Sequence, residues 1–329
     1  SIKTGTVLQM FEAMDEDAIV DLVTSIASQA EGKNKISFGM SGYGCSQREM
    51  FQLGKRVKQQ LKHTQRPVRF VTSKEAQLSS VIVHENVLLL SGGEFILVKH
   101  GKKIILGQTA TVQDYRFWSD RDFGRPARDA KSGMLPPKLA RIKINLSGAD
   151  PSSSLLLDPF CGCGTVLAEA ALLGFSHMIG SDISPKAIAN TKTNLAWTID
   201  RYQIVEPDIS LLVADVRDSS TVVTQCVDVI VTETFLGVPK TTMVSDKEFV
   251  EEKKTLLNFY AEACAALGRI LLSDAIMVLA VPAFRTVLGF ESLEIDALLV
   301  TLGFEIEQSF LYYRPDQFVG REIFVLRKT

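Results

Sequence analysis

Apolar and polar positions follow two alternating periods in the second half of the chain. Short apolar runs, each ending near an acidic or turn residue, alternate with longer stretches of helical periodicity. The runs are SLLLDPF, HMIGSDI, ISLLVAD, VDVIVTE and AIMVLAVP, separated by helical stretches such as TVLAEAALLG, PKAIANTKTNLAW and DKEFVEEKKTLLNFYAEACAAL. Because strands that alternate with helices form βαβ units, this pattern predicts a mostly parallel sheet with helices on both faces. The closing EIEQSFLYYR and REIFVLRK predict an antiparallel hairpin.

The first half of the chain lacks this regular alternation. Helix-like DEDAIVDLVTSIASQA, EMFQLGKRVKQQLKH and QLSSVIVHENVL are interleaved with strand-like KISFGMSGYG, VRFVT and the hairpin GEFILVKHGKKIILGQT. We expect a small α+β domain over residues 1–112, a polar connector over 113–150 that becomes helical after Pro137, and an α/β domain over 151–329. The chain starts on SIKTGTVLQMF, which resembles the tail of a strand, so we expect the first domain to be incomplete at its N-terminus.

The length, net charge and cysteine content of the chain limit the classes of protein to which it can belong. A length of 329 residues is more than one hydrophobic core commonly serves, which also favours two domains. The net charge of −2 does not by itself indicate a nucleic-acid-binding protein, so any basic surface must be local. We expect neither a secretory signal nor a membrane-spanning segment. The five scattered cysteines favour reduced thiols and a cytoplasmic location.

Small residues follow the first strand of the α/β domain. The loop DPFCGCGT, residues 158–165, places two glycines directly before a helix, so that backbone can approach a ligand closely. It lacks the lysine of a P-loop, which argues against a nucleoside triphosphate. Its two cysteines have no partner pair or nearby histidine, so we predict no metal site.

Acidic residues end three successive predicted strands. Asp158 ends the first strand, Asp182 the second and Asp215 the third. In open α/β sheets ligands bind beyond these carboxyl ends, and an acid after the second strand can accept the ribose hydroxyls of an adenosine-type cofactor. An acid at the end of the third strand can accept a hydrogen bond from the adenine amino group. The joint spacing predicts an S-adenosylmethionine site.

Three motifs carry a resemblance to a known family. DPFCGCGTVLAEAALLG, IGSDISPKAIANTKTN and the upstream RPARDAKSGMLPPKLARIKINL resemble the RNA methylase family, in particular tRNA guanosine-10 N2-methyltransferases that carry an N-terminal THUMP domain. The closing YYRPDQFVGREIFVL supports the resemblance, and the first 110 residues support it more weakly. It implies a Rossmann-like methyltransferase sheet, methyl transfer to the exocyclic amine of a guanosine in tRNA, and a THUMP-like domain that docks the tRNA.

The cofactor contacts follow from the loop, the acidic strand ends and this resemblance. The SGMLPP segment lies against the methionine portion of the cofactor in the family. The full prediction comprises Ser132, Met134, Asp158, Phe160, Cys161, Gly162, Gly164, Asp182, Ile183, Asp215 and Val216.

The fourth strand of the α/β domain ends in an atypical motif. Enzymes that methylate exocyclic amines usually carry Asp/Asn/Ser-Pro-Pro-Tyr/Phe there, because an aryl amine is a poor nucleophile and needs hydrogen-bond acceptors, while the aromatic ring stacks on a flipped base. This chain has VTETFLG. Either Thr232 takes the first position with Phe235 as the ring, or Glu233 replaces the acid with Leu236 at the aromatic position. We favour Glu233 as acceptor and Phe235 as stacking ring, and note that both prolines are missing.

Two basic stretches are candidates for RNA contact. Between Leu53 and Lys74 the basic residues, which include Lys55, Arg56 and Lys58, occur without an acid among them. The connector adds Arg125, Arg128 and Lys138 near the predicted cofactor site, interleaved with aspartates that favour some ion pairs.

Rival functions remain open at this point. One is a DNA or ribosomal RNA amino-methyltransferase acting on adenine N6 or cytosine N4. The other is a catalytically silent RNA-binding homologue, or a subunit that needs an activator protein, which the missing prolines favour. We expect tRNA as the main partner and a monomer or weak homodimer.

Overall fold

The computed structural model describes residues 3–30, 35–128 and 134–329. The chain divides into two compact units, Ser1–Phe117 and Trp118–Thr329. No helix in the described ranges combines the length and apolar character needed to cross a membrane.

The first unit is a five-stranded sheet with helices. Its strands are β1 (Lys3–Phe11), β2 (Ile36–Tyr43), β3 (Val68–Val71), β4 (Gly93–His100) and β5 (Lys103–Val112), and its helices are α1 (Glu16–Ser28), α2 (Gln47–Gln60) and α3 (Ser80–Glu85). The sheet order is β1-β5-β4-β2-β3, with β2 parallel to β3 and β4 and the other pairs antiparallel. Helix α4 (Tyr115–Phe123) follows.

The first unit departs from the sequence prediction at its third helix. The pattern of QLSSVIVHENVL predicts one helix, but α3 ends at Glu85 and a separate 3-10 turn covers Leu88–Leu90. Val87 between them has a positive φ of 52°. A left-handed residue cannot continue a right-handed helix, so the chain turns there and buries Leu88.

The second unit contains one large sheet. Its strands are β6 (Leu155–Asp158), β7 (His177–Asp182), β8 (Asp208–Val213), β9 (Val227–Glu233), β10 (Leu271–Thr286), β11 (Gly289–Ser292), β12 (Phe304–Tyr312) and β13 (Val319–Lys328). Its helices are α5 (Pro137–Leu146), α6 (Thr165–Leu173), α7 (Pro185–Tyr202), α8 (Ser219–Val222), α9 (Asp246–Ile270) and α10 (Asp296–Thr301).

The order of this sheet is β12-β13-β10-β9-β6-β7-β8, with β11 paired to β10. The five strands from β8 to β10 are parallel, and β13 is antiparallel to both β10 and β12. Apolar clusters cover both faces, one under α9 and one under α5 and α6. This confirms the predicted α/β class, with a mostly parallel sheet that ends in an antiparallel hairpin.

Strand β10 is longer than its sequence pattern predicts. We expected it to end at Pro282, but it continues to Thr286 and turns into β11. Ala280 pairs with Glu233, the last residue of β9, and Ala283 pairs with Ser292 of β11. Pro282 falls in the gap between these two partners, which is the kind of sheet position that tolerates a residue without an N–H.

Candidate active site

The carboxyl ends of β6, β7, β8 and β9 surround one cavity of about 580 Å³ in the second unit. Nine of the predicted cofactor residues line it, namely Met134, Asp158, Phe160, Cys161, Gly162, Asp182, Ile183, Asp215 and Val216. Glu233 and Phe235 line it as well. The cavity therefore brings together the residues that the sequence placed at four separate strand ends. Ser132 lies outside the described residues.

The glycine loop is held in place by the neighbouring strand and helix. The N–H of Cys161 donates to the carbonyl of Ser181 at 2.9 Å, and the hydroxyl of Thr191 donates to the carbonyl of Gly162 at 2.8 Å. Gly164 has a φ of 78°, and a Cβ there would lie 2.9 Å from the Thr191 side chain. Gly164 does not itself line the cavity. It is required for the turn into α6.

Asp182 connects the loop to the second strand. Its Oδ2 accepts a hydrogen bond from the N–H of Gly162 at 3.0 Å, and its Oδ1 accepts one from the N–H of Ser184 at 2.9 Å. Each oxygen has a second lone pair for a ligand. The exposed Ile183 follows directly.

Asp215 is positioned differently. It accepts hydrogen bonds from the Arg217 side chain at 2.6 and 3.0 Å and from the Arg217 N–H at 2.9 Å. The side-chain bond to Arg217 lowers the pKa of Asp215, so the carboxylate is ionised at neutral pH.

Asp158 lies at the bottom of the cavity and is buried. Burial raises the pKa of Asp158 to about 7. A hydrogen bond from the Thr232 hydroxyl and the charge of Lys143 both act in the opposite direction. The Thr232 bond is 2.7 Å long. Thr232 is fully buried and does not line the cavity, so its predicted role as a direct catalytic contact is wrong. Successive side chains of β9 point to opposite faces of the sheet, and the Thr232 hydroxyl is used by Asp158 at the end of β6.

Glu233 faces the cavity but is already paired. Its two oxygens accept hydrogen bonds from Arg321, at 2.5 Å from Nε and at 2.9 Å from Nη2. A bidentate guanidinium fixes the plane of a carboxylate and leaves each oxygen with remaining acceptor capacity. The carboxylate is therefore an ordered hydrogen-bond acceptor at the cavity wall.

Phe235 stands at the mouth of the cavity with 54% of its surface exposed. Its carbonyl accepts a hydrogen bond from the Tyr260 hydroxyl at 2.7 Å, and Thr234 bonds to the same hydroxyl at 3.0 Å and to the carbonyl of Ala280 at 2.9 Å. These bonds fix the backbone after β9. An exposed ring on a fixed backbone can stack on a planar ligand.

Sequence reasoning missed several residues of this site. Phe259 of α9 lines the cavity and packs edge-on against Phe160, with ring centroids 6.0 Å apart. Lys143 of α5 and Arg321 of β13 are buried beside the acidic strand ends. A single lysine in a helical pattern usually faces solvent, so nothing in the local pattern distinguishes Lys143. Only the packing of α5 on the sheet brings it there.

The connector residues behave differently from one another. The prediction that Arg125 contacts RNA is wrong, because its side chain is 4% exposed and donates to the Thr165 hydroxyl at 2.5 Å. Arg128 is exposed, with its guanidinium 5.6 Å from the Phe123 ring centroid. Lys138 is also exposed, with its Nζ 5.4 Å from the Trp118 ring centroid. Both side chains lie at the surface of the second unit.

The basic cluster of the first unit lies on α2. Lys55 and Lys58 are exposed, and Lys55 Nζ lies 4.5 Å from the ring centroid of Phe51. Arg56 instead forms ion pairs with Glu16 and Asp17 of α1. Much of its charge is thereby compensated within the unit.

Metal-binding and disulfide chemistry find no support in the described part of the chain. No group of three histidine, cysteine, aspartate or glutamate side chains is arranged to hold a metal ion among the described residues. All five cysteines are free, and burial raises the pKa of Cys161 well above its usual range.

Comparison with known proteins assigns this cavity to a type of domain. Residues 125–289 match the UPF0020 family, described as an RMKL-like methyltransferase domain. A tRNA (guanine(10)-N2)-dimethyltransferase of Methanothermobacter thermautotrophicus is 37% identical over 139 residues, which are 42% of this chain and 38% of that enzyme. The chain thus matches about two fifths of the length of this curated relative.

Solved structures show the same fold over nearly the whole chain. TrmN from Thermus thermophilus has a TM-score of 0.58 at 18% identity, covering 99% of this chain and 83% of that chain. The structure of SMU.472 complexed with SAH has a TM-score of 0.55 at 12% identity, covering 99% and 84%. The large sheet thus has the Rossmann-like fold of these structures.

The hydrogen bond between Thr232 and Asp158 should be visible in the stability of the protein. We expect Thr232→Val to lower the free energy of unfolding by about 1–3 kcal/mol at pH 8.5, because it leaves an ionised buried carboxylate without the shorter of its two hydrogen bonds. The loss should be smaller at pH 5.5, below the raised pKa of Asp158. Urea unfolding at the two pH values measures both, and Thr232→Ser, which keeps the hydroxyl, serves as the control. An equal loss at both pH values would contradict this account.

Proposed function

Because the chain belongs to the UPF0020 family of RMKL-like methyltransferase domains, we propose that it is an S-adenosylmethionine-dependent methyltransferase acting on the exocyclic N2 amine of a guanosine in tRNA. The observation that supports this most is the single cavity that joins three acidic strand ends to Glu233 and Phe235. The substrate is proposed from the tRNA (guanine(10)-N2)-dimethyltransferase relative.

The cavity fits the proposed cofactor in size and chemistry. Its volume of about 580 Å³ is in the range of small-molecule sites, and it offers one acid per strand end. Asp182 would accept the ribose hydroxyls and Asp215 the adenine amino group, with Ile183 and Val216 beside the ring. The glycine loop and Met134 would hold the methionine portion.

The reaction places specific demands on the end of β9. S-adenosylmethionine supplies an electrophilic methyl group on a sulfonium. The Glu233 carboxylate, oriented by Arg321, would accept hydrogens of the target amine and so direct its lone pair. Phe235 would stack on the flipped base. No covalent bond between enzyme and substrate is required.

RNA contact is proposed for both units. Lys55 and Lys58 of the first unit would contact phosphates, which agrees with a THUMP-like role for residues 1–112, and Arg128 and Lys138 would do so in the second unit. We further propose residues 113–150 as the connector and residues 151–329 as the methyltransferase domain. We propose a cytoplasmic enzyme that acts as a monomer or weak homodimer, with an activator protein as an additional partner where the chain alone is inactive.

The direct test is incubation of the protein with labelled S-adenosylmethionine and, in parallel, tRNA, ribosomal RNA and DNA. N2-methylated guanosine in tRNA, detected by mass spectrometry of nucleosides, is the expected result. Methylated adenine N6 or cytosine N4 in DNA or ribosomal RNA would replace the proposed substrate. Cofactor binding without transfer to any nucleic acid, with and without a cell extract as a source of activator, would favour a silent RNA-binding homologue.

The ribose contact can be tested by removing one carboxylate. We expect Asp182→Ala to weaken S-adenosylmethionine binding by about ten- to a thousandfold, because a charged hydrogen-bond acceptor is lost. Isothermal titration calorimetry measures the affinity. Asp218→Ala, at an exposed aspartate that does not line the cavity, is the matched control and should bind normally. Unchanged affinity in Asp182→Ala would remove Asp182 from the cofactor site.

The two residues at the end of β9 should fail in different ways. Glu233→Gln should lower the single-turnover rate by roughly 10²–10³ with little change in cofactor affinity, because the acceptor acts mainly in the transition state. Phe235→Ala should instead weaken productive RNA binding by about 1–3 kcal/mol, the usual contribution of one base–aromatic stack.

Single-turnover kinetics at saturating cofactor and varied RNA concentration separate these two effects. Phe310→Ala, at a partly exposed phenylalanine of β12 that does not line the cavity, is the control for loss of an exposed ring. Wild-type behaviour of both Glu233→Gln and Phe235→Ala would show that the end of β9 is not the catalytic edge.

The charge of α2 should set the salt dependence of RNA binding. We expect the double variant Lys55→Ala/Lys58→Ala to reduce the slope of log affinity against log salt by roughly 1.5, because each phosphate contact contributes about 0.7–0.9. Arg56→Ala should change the slope less, since Glu16 and Asp17 already compensate that charge. Filter binding across a salt series gives the slopes. An unaltered slope in the double variant would exclude α2 from the RNA interface.

A further inference from the structure

Four charged side chains from four different elements meet beneath the cavity. Asp158 ends β6, Glu233 ends β9, Arg321 lies on β13 and Lys143 lies on α5. Asp158 is 2% exposed, Arg321 is 7% exposed and Lys143 is completely buried. The cluster contains two acids and two bases, so its formal charge is zero.

Arg321 is paired with one member of this cluster. Its side chain forms the bidentate pair with Glu233, at 2.5 and 2.9 Å. Asp158 receives its hydrogen bonds from the Thr232 hydroxyl at 2.7 Å and from the N–H of Phe160 at 3.3 Å, both neutral donors. Compensation of the second negative charge therefore depends on Lys143.

Lys143 has no local structural reason to be a lysine. Its Nζ is buried without a hydrogen-bond partner among the described residues, which is a costly arrangement for an ammonium. Its neighbours Leu139, Ala140 and Ile144 on α5 are buried apolar residues, so an apolar side chain would suit the position.

The charges that face Lys143 come from three elements of the sheet. They are Glu233 and Asp158, which favour its charged form, and Arg321, which opposes it. On the adjacent helix α6, Glu169 is engaged by Arg121 and Arg141. Burial lowers the pKa of Lys143 to about 8, so the ammonium persists at neutral pH.

We propose that Lys143 is a positioning residue that balances the buried charge of Asp158, so that this carboxylate acts as a hydrogen-bond acceptor at the bottom of the cavity. Without it, the remaining cation of the cluster is Arg321, which is already paired with Glu233, while burial and the charge of Asp182 both oppose ionisation of Asp158. A protonated Asp158 would have one oxygen that donates rather than accepts. The inference rests on the proposed function only for the identity of the ligand that uses these acceptors.

The first test requires no ligand. The unfolding equilibria of the wild type and of Lys143→Met are measured in urea from pH 5.5 to pH 8. The variant should be the more stable protein at low pH, where Asp158 is protonated and no longer balances the buried ammonium. Ionisation of Asp158 in the folded state occurs near pH 7 and is aided by Lys143. The ratio of the wild-type unfolding constant to that of the variant should therefore fall about tenfold between pH 5.5 and pH 8.

The second test uses ligand binding and catalysis. In Lys143→Met the acid limbs of S-adenosylhomocysteine affinity and of single-turnover methyl transfer should move upward by about one pH unit, with the rate recovered near pH 9. Lys143→Gln, a neutral variant of similar length, gives the same comparison if the methionine variant does not fold. Lys254→Met, at an exposed lysine of α9, is the control and should leave all curves unchanged.

The outcomes separate this inference from the proposed function. A stability difference that is constant from pH 5.5 to pH 8, or unshifted acid limbs, would overturn the role of Lys143. If the wild type transfers no methyl group to any nucleic acid, the proposed function fails, while the stability comparison still decides whether Lys143 balances the charge of Asp158.

Discussion

The parallel pairing of β6 with β7 on one side and β9 on the other is the constraint on which the site depends. Leu157 of β6 is in register with Ile179 of β7 and with Ile230 of β9. Parallel strands end at the same edge, so this register brings Asp158, Asp182 and Glu233 to one cavity without any long-range signal in the sequence. The apolar clusters on both faces stabilise the sheet and thereby the distances between these acids.

Bringing acids together at a buried edge creates an electrostatic cost, and the remaining charges of the site offset it. Asp215 is near the surface and is compensated by Arg217, whereas Glu233 is compensated by the buried Arg321. Asp158 lies deepest, and burial raises its pKa to about 7. Asp215 is therefore an ionised acceptor near the surface, whereas Asp158 is a titratable group at the bottom of the cavity.

The extension of β10 beyond the end of β9 supports the loop that lines the cavity after Glu233. From Ala280, level with Glu233, the strand continues to Thr286, which corresponds to roughly 20 Å at about 3.3 Å per residue. The carbonyl of Arg285 accepts a hydrogen bond from the N–H of Val244 at 2.8 Å, so the loop after β9 is anchored to this extension. Phe235 therefore belongs to a supported wall, which agrees with a role in holding a planar substrate.

Local pattern in the sequence determined the elements, the fold class and most of the cavity. The period of the apolar positions identified the alternating strands and helices, and the residues at strand ends identified Asp158, Asp182 and Asp215, because both signals are short-range. Tertiary structure alone decided which side chains are buried and which of them form ion pairs. It buried Arg125 and Thr232, joined Arg321 to Glu233 across the sheet and turned Lys143 inward, since burial and ion pairing depend on residues far apart in the chain.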